Sequence, residues 1–456
     1  MAHCCMLSSI LVRPAAITLG LLLVSGCFFD RSGVPSVGDS AAPDNAALDL
    51  TTEAVSDLDL SRDAADGPPV EAGVDGPVPT ADVLVADVPG SDLLVADAPV
   101  PPDLSVCLSW SPKPLHFDPC AIPAPTAGLT LGAGNSTYDT DSGVLTLASG
   151  TATTPTSQVV TQPSGVELRV VSVQGFSVVS GATLRVVGGR PLLVASWSTI
   201  DVSGTIDASS TRNPASGAIS VGAGATPPSC ASHAPTSGGV ASGDGGGGGG
   251  AGFGAKGGKG GKGNSGGSSG GNAGDAVGVP AEVIGGCPGA KGGGNNDPGE
   301  GGPGGGAVFL SARGSIVVNG TIHAGGAGGE GAPGYEDGGG GGGSGGLIGL
   351  EAPSVSLAGT SILAANGGGG GGGAHDSDDG KHGGNGAAAA SAAPGGAAGG
   401  GGGDGGPGGC KTTPTGGDGL QGSDGGGGGG GGVGYILIRA GSLSAQGTAS
   451  PTHTAL

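Results

Sequence analysis

Cysteine, carboxylate and histidine are the only side chains in this chain grouped closely enough to do chemistry. Eight cysteines occur, at 4, 5, 27, 107, 120, 230, 287 and 410. No Cys-x-x-Cys pair is present, so the usual zinc and dithiol spacings are missing. Cys107 and Cys120 bracket a Pro-rich loop and are expected to form a disulfide. Cys230 and Cys287 flank a Gly-rich stretch and are expected to form a second, worth about 4 kcal/mol for a loop of that length. Cys410 is then left over, and Cys287–Cys410 is the rival pairing. Asp201 and Asp207 stand either side of Gly204, a carboxylate pair of the kind used in sugar hydrolysis or calcium-assisted elimination, with Trp197 nearby as a stacking ring. The run His375 to His382, HDSDDGKH, gathers metal-ligating types without the spacing of an EF-hand loop. Val317 and His323 replace the two aspartates in a second copy of the same unit, so we read the pair as residues of a solvated strand face. The His/Asp run reads as an exposed loop tip. No catalytic residue, metal or cofactor is expected.

The elements that must position these residues are unusual. Of 456 residues 111 are Gly and 33 Pro, and only 2 % are aromatic. One ordinary core would need far more large apolar side chains. Gly does not recur as G-X-Y, which excludes collagen. The net charge is −21, and no segment concentrates enough Lys and Arg to track a phosphate backbone, so nucleic acid is excluded as a partner. Lys256, Lys259 and Lys262 are each followed by Gly, whereas a phosphate loop needs Lys before Ser or Thr. Their spacing instead suits one exposed edge of a three-residue-per-turn helix.

Arg13 precedes the apolar run 14–24, which is too short to span a bilayer as a helix. It ends in Leu23-Val-Ser-Gly-Cys27, which resembles the lipobox of bacterial lipoproteins. That resemblance implies removal of 1–26, lipidation of Cys27 and attachment to a membrane through acyl chains. Phe28 and Phe29 follow Cys27, and by the same resemblance the absence of Asp there favours the outer membrane or cell surface. From 27 to 105 lies an acidic Asp/Ala/Pro-rich segment with near-copies DVLVADVPG (82–90) and DLLVADAPV (92–100). It has too few large apolar side chains to offset its ordering entropy, so we expect a disordered stalk. Export would place the remaining cysteines in an oxidising compartment, where disulfides form. GGDGLQGSD (416–424) resembles the calcium-binding nonapeptide G-G-x-G-x-D, but its sixth position is Gln421, not Asp, and no second copy stacks beside it.

Residues 106–456 form the expected folded module. The segment 144–209 alternates β-branched and polar residues, which predicts short strands. A unit of strand, bend, strand and Gly-Thr occupies 191–209 and 307–325, with looser copies at 346–368 and 434–450. Gly204, Thr205 and Ile206 align with Gly320, Thr321 and Ile322, and Leu350 and Ala352 with Ile438 and Ala440. Units of this kind must stack to bury themselves, with Ile200, Val202, Ile206, Ile316, Val318 and Ile322 inward. Between the copies lie Gly-rich inserts, about 210–306, 326–345 and 367–433. Two states are open to them: flexible coil, or a bundle of polyglycine II helices paired through backbone groups. GSIVVNGTIHAGG and STIDVSGTIDASS are similar to rungs of filamentous-haemagglutinin-type β-solenoids. With its lipobox, acidic spacer and GGGGG inserts, the whole chain resembles glycine-rich bacterial envelope lipoproteins. The inserts also resemble those of the glycine-rich extracellular region of certain receptor kinases, where they extend a jelly roll. The expected fold is therefore all-β, a solenoid with polyglycine II-type inserts, with a jelly-roll-like sandwich as alternative. The expected function is a lipid-anchored envelope or surface protein with a structural or adhesive, non-enzymatic role, and surface polysaccharide or another envelope protein as partner. The competing reading is a polysaccharide-binding or polysaccharide-degrading β-helix protein.

Overall fold

A computed structural model describes residues 107–456. The leader 1–26, Cys27 and the stalk 27–105 lie outside the described residues. The described chain is all-β. Five strands come first: β1 (Leu129–Leu131), β2 (Gly134–Asp139), β3 (Val144–Thr146), β4 (Ala152–Thr153) and β5 (Ser157–Thr161). Five chain segments follow that lie one on another. The first holds β6 (Glu167–Val173), β7 (Phe176–Val178) and β8 (Ala182–Val187). The second holds β9 (Leu192–Ser196), β10 (Ile200–Val202) and β11 (Thr205–Asp207). Two small antiparallel ladders interrupt the stack, β12 (Thr211–Arg212) with β13 (Ile219–Ser220) and β14 (Val240–Ala241) with β15 (Asp244–Gly245). The third segment holds β16 (Ala307–Ala312), β17 (Ser315–Val318) and β18 (Thr321–His323). The fourth holds β19 (Leu347–Leu357) and β20 (Ile362–Ala364). The fifth holds β21 (Tyr435–Ala445) and β22 (Thr448–Ser450), and β23 (Thr454–Ala455) closes the chain.

Neighbouring segments pair in parallel and keep one register throughout. Val171, Val194, Leu310, Leu350 and Ile438 form one column across the first sheet. Leu184, Ile206, Ile322, Leu363 and Ala449 form another across the second. The aligned residues of the sequence repeat are the paired residues of the sheet: Thr205 with Thr321, and Leu350 with Ile438. Like residues at like positions bury like surface, so register follows the apolar pattern. At the N-terminal end β2, β3 and β4 pair antiparallel, as does β5 with β6. The parallel pairing of the stack differs from the antiparallel pairs of a jelly roll.

Ile200, Val202, Ile206, Ile316, Val318 and Ile322 are fully buried, in one apolar core between the two sheets. The first sheet is buried on its other face too. There Leu193, Phe309 and Leu437 meet Trp110, Phe117, Trp197 and Phe253. That explains why β9 and β16 read as unbroken runs of buried residues, with no exposed alternate position. Segment 107–122 covers this face, held by the Cys107–Cys120 disulfide.

The central Gly-rich runs are as buried as the strands. Residues 338–346 are all buried, and their nine N–H groups go in three directions. Gly338, Gly341 and Ser344 donate to Gly293, Ala290 and Cys287; Gly339, Gly342 and Gly345 donate to Gly426, Gly429 and Gly432; Gly340, Gly343 and Gly346 donate to Glu330, Ala327 and Ala324, all at 2.7–3.0 Å. Its carbonyls accept from three further segments: from Gly299, Gly302 and Gly305, from Gly248 and Ala251, and from Gly371 and Gly368. One run thus has six neighbours, each met by every third residue, some parallel to it and some antiparallel. The run 425–434 repeats the arrangement, donating to 365–374, 245–251 and 414–420 and accepting from 403–409, 339–345 and 254–261. A Cβ on Gly341 would collide with the Gly249 carbonyl oxygen, far inside the 3.0 Å that real Cβ atoms respect. Glycine is required here for close approach, not for an unusual φ.

Candidate functional site

Each described residue that the sequence singles out has a definite place. Cys27 lies outside the described residues. Cys107 is bonded to Cys120 and Cys230 to Cys287, with Cα–Cα distances of 5.1 and 5.4 Å. Cys410 is a buried free thiol. Burial pushes its pKa up, but hydrogen bonds from Thr412 and Thr413 outweigh this and leave it below the ordinary value.

The carboxylate pair is not a pair. Asp201 sits on β10 in the first sheet and takes a 2.7 Å hydrogen bond from Ser203. Asp207 sits on β11 in the second sheet, in the column Arg185–Asp207–His323. It lies 3.1 Å from the Arg185 guanidinium and 3.6 Å from His323 Nδ1. Burial alone would raise its pKa, yet His323, Arg185 and Ser209 together hold it far below the usual carboxylate range. The expectation of a solvated Asp207 is therefore corrected: it ties three stacked segments together. Trp197 is likewise no open stacking platform. It is 7 % exposed, donates to Ser172 Oγ at 3.0 Å and packs edge-on against Trp110.

An ion pair that sequence reasoning missed, with a buried carboxylate and a half-buried arginine, lies on the outer face of the first sheet. Glu351 is 2 % exposed and accepts from Arg439 at 2.7 Å, from Ser311 and from the Leu115 amide. Burial raises its pKa despite these donors. Arg439 also reaches the Lys113 carbonyl, so the pair docks the 107–122 segment. The signal was present in the repeat, because the alignment of Leu350 with Ile438 puts Glu351 opposite Arg439.

Comparison with known protein families, curated proteins and solved structures finds no match. Function has to be read from the molecule itself. Among the described residues no helix is long and apolar enough to cross a membrane, and no group of three or more His, Cys, Asp or Glu is placed to hold a metal ion. The two disulfides fit an oxidising compartment.

What remains is a cluster of insert tips at one end of the glycine bundle. The loops interlock through their backbones and carboxylates. Tyr335 N–H donates to the Asp376 carbonyl at 2.6 Å, Gly245 N–H to Glu336 at 2.9 Å and Asn264 N–H to Asp424 at 2.7 Å. His375 Nδ1 lies 2.7 Å from Asp424 Oδ2, so half of the HDSDDGKH run belongs here. His382 lies apart, accepting from the Gly331 amide. Of the six non-glycine residues with positive φ among the described residues, five are at these tips: Ser242, Asn264, Tyr335, Glu336 and Asp376. Each such residue costs about 1–3 kcal/mol, which the surrounding structure must impose. A cleft of about 450 Å³ opens between the loops, lined by Asn296, Pro333, Tyr335, Glu336, Asp376 and Asp379. Tyr335 is 66 % exposed. A hydrogen bond with Asp244 and the nearby charge of that carboxylate raise the Glu336 pKa. The cleft thus offers a ring face beside several carboxylates and an amide. It was not legible in the sequence, because separate inserts build it.

Proposed function

We propose that this chain is a lipid-anchored protein of the cell envelope or surface with a structural or adhesive, non-enzymatic role. In this reading the stacked segments are a β-solenoid, and the inserts are polyglycine II helices packed hexagonally on it. A third of a turn per residue sends successive N–H groups in three directions, and the contacts of 338–346 have that pattern. In this reading Cys27 anchors the chain, the acidic segment serves as a stalk, and the bundle is a rigid body displayed at the surface.

The single observation that carries the reading is the sixfold backbone pairing of buried, side-chain-free runs. Such a body has rigidity and shape but few reactive groups. The competing enzyme reading needs acids converging from successive segments. Asp201 and Asp207 lie on different sheets, and Asp207 and Glu351 are consumed by ion pairs.

The test is to produce the full chain and its Cys27→Ala variant in a double-membraned bacterial host. The full chain is expected in the outer-membrane fraction, with measurable cell–cell or cell–surface adhesion. Cys27→Ala is expected to leave the membrane fraction and to lose that adhesion. Membrane retention of the variant, or a rate of polysaccharide cleavage by the purified chain, would overturn the proposal.

A further inference from the structure

We infer that the cleft at the insert tips binds a glycan carrying free amino groups, with Tyr335 stacking beneath a sugar ring and Glu336, Asp376 and Asp379 receiving its ammonium and hydroxyl groups. The inference rests on the adhesive reading above and names the ligand class of its exposed end. The cleft, at about 450 Å³, falls within the range of small-ligand sites, roughly 300–1,000 Å³. The chain has three Tyr. Tyr138 is 3 % exposed and Tyr435 is tied to the Val277 carbonyl, so Tyr335 alone presents its ring to solvent. An exposed aromatic with a polar tip binds well where one face of the ligand is apolar and its rim is hydroxylated.

Charge then selects among sugars. Three of the lining residues are carboxylic acids, and Asp244 stands against Glu336 behind them. Among the described residues no Lys or Arg lines the cleft. An anionic sugar would be repelled here, a neutral one would gain only hydrogen bonds, and an ammonium group would gain charge-assisted ones. Asn296 adds an amide that can both donate and accept. A peptide fits less well. Among the described residues no strand borders the cleft, so backbone pairing is not on offer, and Pro333 is the one aliphatic side chain in the lining.

The experiment is calorimetric titration of the full chain, at low salt, with glucosamine hexamer, N-acetylglucosamine hexamer, oligogalacturonate and hexalysine. Glucosamine hexamer is expected to bind at least tenfold more tightly than the other three. Tyr335→Asn is the informative variant, since Asn tolerates the positive φ of this position. It is expected to lower affinity for glucosamine hexamer at least tenfold with no change in melting temperature. Asp379→Asn is expected to lower it about threefold and to flatten its salt dependence. Unchanged affinity in Tyr335→Asn, equal binding of the three glycans, or hexalysine binding as tight as glucosamine would overturn the inference. Cell adhesion separates the two proposals: if Cys27→Ala abolishes adhesion while the full chain binds no glucosamine hexamer, this inference fails and the adhesive reading stands.

Discussion

Gly341→Ala tests whether bare backbone is the packing material of the inserts. Gly341 lies mid-way along 338–346. It donates to the Ala290 carbonyl at 2.8 Å and accepts from the Gly302 amide at 2.9 Å. The methyl group would press on the Gly249 carbonyl oxygen well inside 3.0 Å. That obstacle is main chain, so no rotamer change relieves it. Forcing an extra methyl into a packed interior costs about 1–3 kcal/mol. Spreading the segments to admit it weakens both hydrogen bonds of Gly341, at about 1 kcal/mol each. Alanine offsets part of this by restricting the unfolded chain, by ~0.4–1 kcal/mol. The expected net loss is about 2–4 kcal/mol. Gly359→Ala is the control, because no atom lies within 4 Å of a Cβ built there and its φ is ordinary. It should be neutral or slightly stabilising. Urea unfolding of the disulfide-intact chain measures both, and amide hydrogen exchange across 338–346 reports the site directly. Equal stability of the two variants, or exchange in that run at the rate of an unfolded peptide, would show that the inserts are not held as described.

Three further expectations follow from the same geometry. Replacing Cys230 and Cys287 together by Ser opens a loop of sequence separation 57 and should cost about 4 kcal/mol in the unfolded-state account, read from the urea midpoint. His116 packs edge-on against Phe309 at 4.6 Å, and burial lowers its pKa from 6.5 to about 4, against the opposing pull of Glu282. The unfolded chain therefore takes up the proton first, so stability should fall as pH drops from 6.5 towards 4. His116→Gln should flatten that limb, by on the order of 2 kcal/mol, in pH-dependent melting. Finally, deleting one Gly from 338–343 should prevent cooperative folding, whereas deleting three should allow it. One residue rotates every later N–H by a third of a turn towards the wrong neighbour, while three residues restore the phase at the expense of about 9 Å of length; circular dichroism melts distinguish the two.

The strand scaffold was largely legible because its side chains repeat. Thr205 with Thr321 and Leu350 with Ile438 could be aligned by eye, and those alignments are the sheet register. The first stacked segment, 167–187, read as strands but not as a copy, since it lacks the Gly-Thr that marks the others. Trp197 and Asp207 were misplaced because sequence shows which face a residue occupies but not what covers it. Trp197 lies under Trp110, and Asp207 lies between Arg185 and His323. In the inserts only the spacing of the rare side chains carried information. Lys256, Lys259 and Lys262 are all exposed and the glycines between them mostly buried, as a period of three requires. Which run lies beside which could not be read, since runs of Gly have no side chains to distinguish one partner from another. The cleft shares that fate, because Asn296, Tyr335 and Asp376 come from separate inserts.

That degeneracy raises the question of what selects one arrangement among many. Glycine loses more backbone freedom on ordering than any other residue, and a run of identical residues can slip by three without penalty to its own hydrogen bonds. The strands remove the ambiguity. Runs 299–306, 338–346 and 425–434 continue without a break into β16, β19 and β21, which are neighbours in one sheet. The Leu347 amide donates to Gly306 and the Tyr435 amide to Gly346, so pairing passes from glycine run to strand at the same residues. The apolar columns that fix Leu350 opposite Leu310 and Ile438 therefore also fix the phase of every run that enters the sheet. Central runs set by the sheet then leave outer runs such as 254–261 and 403–409 one set of complementary donors and acceptors. In this molecule the side chains of about five short segments specify the placement of a much larger body that has almost none, and a slip in their register would displace the tips and with them the cleft.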